Sequence, residues 1–137
     1  MINDKPSLTI TRPGSAKAPE NPIRLIGGPT PRVEIDLPTL ARQKNLPLTI
    51  VAQHAVALVV NHIRANNERR IDIHCGDPNT KHLFRLTPEA RQARNYVTDL
   101  KSPITRQTIE DQTGETIKVT TFNDPLSGNP VVSYIVV

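Results

Sequence analysis

L-T-I-V-A-Q-H-A-V-A-L-V-V-N-H-I-R-A, from Leu48 to Ala65, is the longest apolar stretch of the chain. It alone is long enough for about five turns of helix. Ile50, Val51, Leu58, Val59 and Ile63 recur at helical spacing, while Gln53, Ala57, Asn61 and Arg64 fall on the other side. That pattern is an amphipathic helix with a narrow polar stripe. Thr49 is placed to cap its start, and Asn66 and Asn67 suit its end, because Asn tolerates the left-handed backbone of a helix terminus. The run Ala55 to Val60 has no polar residue, so the helix must be covered on nearly all sides. Its cover is either the chain's own core or a second copy of the chain. A modest sheet and one thin second helix leave apolar surface over, which favours a second copy. Val51, Ala55, Leu58, Val59 and Ile63 are then the expected oligomer contacts. Gln53, His54, Asn61 and His62 interrupt the stretch, which argues against a membrane span.

N-terminal to this helix, residues 1–30 hold Pro6, Pro13, Pro19, Pro22 and Pro29 with Gly14, Gly27 and Gly28 between them. Prolines so spaced deny a regular helix or sheet ladder. The expectation is an extended arm over 1–30, anchored by Ile23, Leu25 and Ile26, ahead of a single domain over 31–137. Arg32 to Leu37 alternates, with Val33, Ile35 and Leu37 on one face and Glu34 and Asp36 on the other, as a half-buried strand does. A short helix, Pro38 to Lys44, leads from it to the main helix.

C-terminal to the helix, Arg70 to Cys75 reads as a second short strand, with Ile71, Ile73 and Cys75 inward and Asp72 and His74 outward. Leu83 to Leu86 is a further strand candidate. Thr87-Pro88-Glu89 is the clearest helix start in the chain: a capping threonine, proline at the first position, an acid in the first turn. Ala90, Ala93, Val97 and Leu100 give that helix a thin buried stripe. Beyond it, turn residues at 112–114 and 124–128 divide the rest into expected strands 104–110, 115–122 and 130–137. The last is apolar on both faces and belongs inside a sheet. The fold expectation is α+β: an antiparallel sheet, built from this C-terminal meander and one or two N-terminal strands, packed on a long central helix and a shorter second helix, with the extended arm outside.

With 137 residues, 17 basic and 13 acidic, the net charge is only +4. That permits an anionic partner without requiring one. The single cysteine, Cys75, excludes an internal disulfide, and the N-terminus lacks the apolar core of a signal peptide; a cytoplasmic protein is expected. Aromatic residues at 3% are too few for stacking single-stranded bases.

Strand, helix, helix over Arg32 to Ile63 resembles the element order of the ribbon-helix-helix DNA-binding proteins. That resemblance implies that Arg32 to Pro38 pairs with a second chain and enters a major groove. The chain departs from the pattern in its short first helix and in Glu34 and Asp36, acids that would face phosphates. A looser nucleic-acid reading takes Arg64, Arg69, Arg70, Lys81, Arg85, Arg91 and Arg94 as phosphate contacts, interleaved with Glu68, Asp72, Asp77 and Glu89. No metal set is expected: His74 and Cys75 are strand neighbours on opposite faces, and His54 and His62 lie roughly 12 Å apart along the helix. No cofactor motif is present, and an enzyme reading would need a pocket in which His54 or His74 meets a carboxylate. The leading expectation is a non-enzymatic protein that self-associates through its apolar helix or its sheet, and uses its arm to contact a neighbouring subunit or larger complex. The alternative is a small basic dimeric regulator that binds duplex nucleic acid through its arginines.

Overall fold

The computed structural model describes residues 21–77 and 87–137. They form an α+β fold with the order β1 (Ile23–Ile26), β2 (Arg32–Asp36), α1 (Leu37–Lys44), α2 (Leu48–Asn66), β3 (Arg70–His74), α3 (Pro88–Leu100), α4 (Pro103–Thr113), β4 (Ile117–Asn123) and β5 (Pro130–Val136). The strands make one sheet in the order β1-β2-β3-β5-β4. Of the segment expected as an arm, residues 1–20 lie outside the described residues, and Ile23–Ile26 is the first strand, paired antiparallel with β2. The strand expected at Leu83 to Leu86 also lies outside the described residues.

The sheet is mixed, which corrects the expectation of a purely antiparallel one. β2 and β3 run parallel, with Val33 beside Ile71 and Ile35 beside Ile73. The cause is the connection between them. Two helices carry the chain back along the sheet, and such a crossover returns the next strand in the same direction, whereas a tight hairpin reverses it. β2 is also interior, flanked by β1 and β3, so it is not the exposed ribbon that the ribbon-helix-helix resemblance implies.

Period two in the strands decides what faces the helices. Val33 and Ile35 of β2, Ile71 and Ile73 of β3, and Val132 and Tyr134 of β5 lie on one face and are buried in one core with Leu37, Leu40 and Ile109. The Tyr134 hydroxyl donates to the Leu100 carbonyl, tying β5 to the end of α3. Cys75 is buried as expected, and burial pushes its thiol up to about 12.

Local chemistry sets the helix ends. Asp36 caps α1 by accepting from the Thr39 amide, and Asn45 in the left-handed region (φ 51°) ends it. α2 starts one residue before the expected cap, with Pro47 in the cap position and no side-chain capping bond; Asn67 (φ 54°) ends it. α3 begins as read, with the Thr87 hydroxyl accepting from the Ala90 amide. The expected strand 104–110 is instead the middle of α4. Ser102 caps it and Pro103 opens it, the same start that α3 uses. Thr108 and Thr113 return their hydroxyls to the carbonyls of Ile104 and Ile109, so residues with strand preference are accommodated in a helix. Gly114 (φ 74°) ends α4 in a conformation that favours glycine.

Candidate functional site

The even-numbered residues of β2 and β3 point away from the helices. Glu34, Asp36, Asp72 and His74 were expected to meet solvent there, yet they are only 8%, 9%, 2% and 7% exposed. Parallel register sets Glu34 beside Asp72 and Asp36 beside His74, and antiparallel pairing sets Arg24 beside Glu34 and Ser133 beside Asp72. Four strands thus converge on one ionic network on the helix-free face.

Glu34 is its centre. One oxygen accepts from Arg24 at 2.7 Å, the other from Arg32 at 2.9 Å. Asp72 takes Arg70 in a two-pronged pair at 2.9 and 3.0 Å and accepts the Ser133 hydroxyl at 2.6 Å. The Arg32 guanidinium reaches 3.6 Å from Asp72, so it links the two carboxylates. The repeated pattern Arg32-x-Glu34 and Arg70-x-Asp72 builds this arrangement, because residues two apart on a strand share a face. That repeat was the signal in the sequence for a joint site, and reading each strand separately missed it.

His74 closes the network, its Nε2 lying 3.2 Å from Glu34 Oε1. A carboxylate oxygen accepts, so Nε2 is the donor in this contact. Among the described residues Nδ1 makes no hydrogen bond. His74 lines an open pocket of about 500 Å³ with Asn21, Arg24, Ile26, Arg32, Glu34, Asp36, Thr39, Asp124 and Leu126. The β4–β5 turn forms one wall. It is held by Asp124, which accepts from the Ser127 amide and hydroxyl, and by the Asn129 amide group, which donates to the Asp77 carbonyl. Gly76 lets this turn approach closely, since a Cβ there would stand 2.8 Å from Asn129.

This is the juxtaposition that an enzyme reading requires, a histidine meeting a carboxylate in a pocket. His54 does not share it, lying half-buried on α2. Around His74 the lining offers charge and hydrogen bonding. The Thr39 hydroxyl donates to Asp36 and accepts from Arg42, and Cys75 faces the other side of the sheet. Among the described residues no three His, Cys, Asp or Glu side chains converge as a metal site.

Burial is the main cause that raises the Asp36 carboxyl above its ordinary value near 3.8; the Asp77 charge adds to it, while the Thr39 hydrogen bonds and His74 oppose it. A carboxyl raised in the folded state stabilises the fold fully below its unfolded value and loses that contribution as pH rises through the folded value. Asp36→Asn keeps a capping oxygen and removes the titration. Urea midpoints are therefore expected to shift in favour of the variant, relative to the unsubstituted protein, between about pH 3 and neutrality. A pH-independent difference would refute the assignment.

The chain matches no protein-family model, no curated protein and no solved structure.

The expected helix contacts Val51, Ala55, Val59 and Ile63 are buried in the chain's own core, and Leu58 packs against it half-buried. The expected anchors divide: Ile23 packs against the core, Ile26 lines the pocket, and Leu25 is 72% exposed. Of the expected phosphate contacts, one is on the helix-free face and three are on helices of the other layer. Arg70 is on the helix-free face with Asp72, Arg69 pairs with Glu115, Arg64 lies on α2, and Arg91 and Arg94 are on α3 in the helical layer. Lys81 and Arg85 lie outside the described residues. No single helix among the described residues is long and apolar enough to cross a membrane.

Among the described residues one surface stays open. β1 and β4 are the sheet's edges among the described residues. β1 has four residues, and the Ile23 amide is taken by the Asn21 side chain. Short, capped edges resist pairing. β4 has seven residues. In its register the Val137 amide donates to Thr116 and the Asp124 amide to Asn129, so the even-numbered residues bond β5 and the odd-numbered ones face outward. Glu110 accepts the outward amide of Ile117 at 2.8 Å. The outward backbone groups of Val119, Thr121 and Asn123 remain, next to the part-exposed Phe122.

Proposed function

We propose that this is a non-enzymatic interaction and assembly protein of the cytoplasm that self-associates through the open edge of β4. The single observation that carries the reading is the outward row of Val119, Thr121 and Asn123. A two-fold axis at Thr121 pairs that row with itself: Thr121 meets the partner's Thr121, and Val119 meets the partner's Asn123. Every outward N–H and C=O of the three residues then has an acceptor or donor, and the two sheets become one. In this reading α2 is the central helix of the layer that stiffens the sheet, and the proline-rich arm contacts the neighbouring subunit or a larger complex.

Thr121→Pro tests it. The amide lost faces outward, so the β4–β5 ladder keeps its bonds while an approaching strand loses a donor and meets a ring. Because the two-fold doubles each change, the dimer is expected to weaken by about 2 kcal/mol, roughly thirtyfold in Kd. Sedimentation velocity over a concentration series should show a concentration-dependent dimer for the unsubstituted protein and a monomer for the variant at the same concentrations. A monomer at all concentrations, or a dimer indifferent to Thr121→Pro, would overturn the reading.

A further inference from the structure

The outward residues along the edge of β4 are Ile117, Val119, Thr121 and Asn123, and the first of them is treated differently from the rest. Glu110, in the last turn of α4, reaches across and accepts the Ile117 amide at 2.8 Å. An acid there opposes the partial negative charge at the helix's C-terminal end, and the bond to Ile117 compensates that placement. The connection that sets its reach is stiff. Gly114 turns the chain in the left-handed region (φ 74°) with its amide on the Glu110 carbonyl. The Thr113 hydroxyl donates to the Ile109 carbonyl and accepts from the Glu115 amide, and Glu115 pairs with Arg69 at 3.6 Å. Glu110 is therefore held at one place along the edge, beside the first residue of β4.

That place matters because the edge can pair with itself in neighbouring registers. Opposed residues of an antiparallel two-fold pair have numbers with a constant sum, and outward residues must meet outward residues. Centred on Thr121, the pair sets Val119 against the partner's Asn123. Centred on Thr120, it sets Val119 against the partner's Thr121 and Ile117 against the partner's Asn123. The second register uses all four outward residues of each strand rather than three, which adds two hydrogen bonds to the dimer. Glu110 inverts the comparison. The Ile117 N–H is already taken, and the carboxylate stands where the partner's Asn123 carbonyl would lie. Both ends of the Thr120-centred pair are then lost, and it keeps two bonds fewer than the Thr121-centred one.

Given the self-pairing of β4 proposed above, on which this rests, we infer that Glu110 is the register-determining residue of the interface. By holding the Ile117 amide it shortens the open edge to Val119, Thr121 and Asn123 and places the two-fold axis at Thr121. Without it the axis moves to Thr120. Its carboxylate is a charged stop at one end of an otherwise open edge, a device that also limits addition of longer strands.

Cysteine substitutions on the strand report the axis. At the two-fold, the Cα atoms of opposed residues stand about 4.5 to 5.5 Å apart, within disulfide range; in the neighbouring register the same two atoms are about 8 Å apart, out of range. The native Cys75 is 1% exposed and does not compete. In the full chain, oxidation is expected to link Thr121→Cys to its partner and to leave Thr120→Cys unlinked. With Glu110→Ala the preference is expected to reverse, and sedimentation velocity should show a dimer about thirtyfold tighter, the scale of two added hydrogen bonds. Glu110→Gln keeps an oxygen for the Ile117 amide and is expected to restore the Thr121→Cys link. A Glu110 that only stabilised the fold would leave the axis where it is. Glu110→Ser, too short to reach Ile117, repeats the test should Glu110→Ala fold poorly. Two results overturn the inference and leave the edge pairing standing: a dimer in which Thr121→Cys stays the linked position with Ala or Ser at 110, or a reversal that Glu110→Gln shares. Absence of any dimer, in the unsubstituted chain and the variants alike, overturns both.

Discussion

Asp72→Ala is expected to destabilise the fold by about 3 kcal/mol, a large fraction of what holds a domain of this size together. The Asp72 side chain is 3% exposed and takes both prongs of Arg70 and the hydroxyl of Ser133. Its removal strands a guanidinium and a buried hydroxyl together. The figure is set at the lower end for a broken buried pair, because the Arg70 side chain is 28% exposed and can turn partly toward water. Chemical denaturation reads the effect directly. The double substitution Asp72→Ala, Arg70→Ala is expected to recover part of the loss, since no unpaired arginine is left behind. A single variant within about 0.5 kcal/mol of the original would show that the network is dispensable, as a surface ion pair usually is.

Ile109→Ala is expected to cost about 3 kcal/mol. Ile109 is 0% exposed and is the one buried residue of α4. α4 otherwise presents half-buried and exposed side chains, so this residue carries most of its anchorage. Its loss leaves a cavity beneath the helix and loosens Glu110, which holds the Ile117 amide at the start of β4. Hydrogen exchange should therefore accelerate across α4 more than across β3, in addition to a lower denaturation midpoint. Ile104→Ala, five residues earlier on the same helix and 79% exposed, serves as the contrast and is expected to stay within about 0.5 kcal/mol. Equal effects at both positions would refute this account of how α4 is held.

α4 also shows where local reading failed. Ile104, Thr105, Thr108 and Ile109 carry strand-favouring side chains, and a β assignment follows from them. Yet Ser102-Pro103 is the same kind of start signal as Thr87-Pro88, which was read correctly. The preference of a short segment is a weak term, and the core's need for Ile109 beside α2 and the sheet outweighed it. For α2 the apolar run correctly announced deep burial. Its extent was not legible, because a strand-like reading of 104–110 removed a helix from the layer that covers α2. With α4 in place, the core closes over Val51, Ala55, Val59 and Ile63 within one chain.

The candidate site was legible in part. Alternation placed Glu34, Asp36, Asp72 and His74 on one side of their strands, and the structure has them there. What alternation could not supply is which strands lie side by side. Glu34 and His74 are far apart in sequence and meet only because β2 and β3 run parallel in one register, with β1 bringing Arg24 to the same place. The same holds for the β4 edge: the strand could be read, but its lack of an outer neighbour among the described residues belongs to the order of the sheet.

The sequence by itself determined the α+β composition, the burial of the Leu48 to Ala65 helix, the capped start of α3, and the faces on which the residues of β2 and β3 lie. These follow from periodicity and from side chains that bond their own backbone, all within a few residues of chain. Only the tertiary structure decided that acids expected in solvent are buried with arginines, that three carboxylates and a histidine line one pocket, and that β4 ends the sheet among the described residues. Those depend on contacts between distant segments, whose geometry is fixed by the crossover of β2 into β3 and by the packing of the helices over one face.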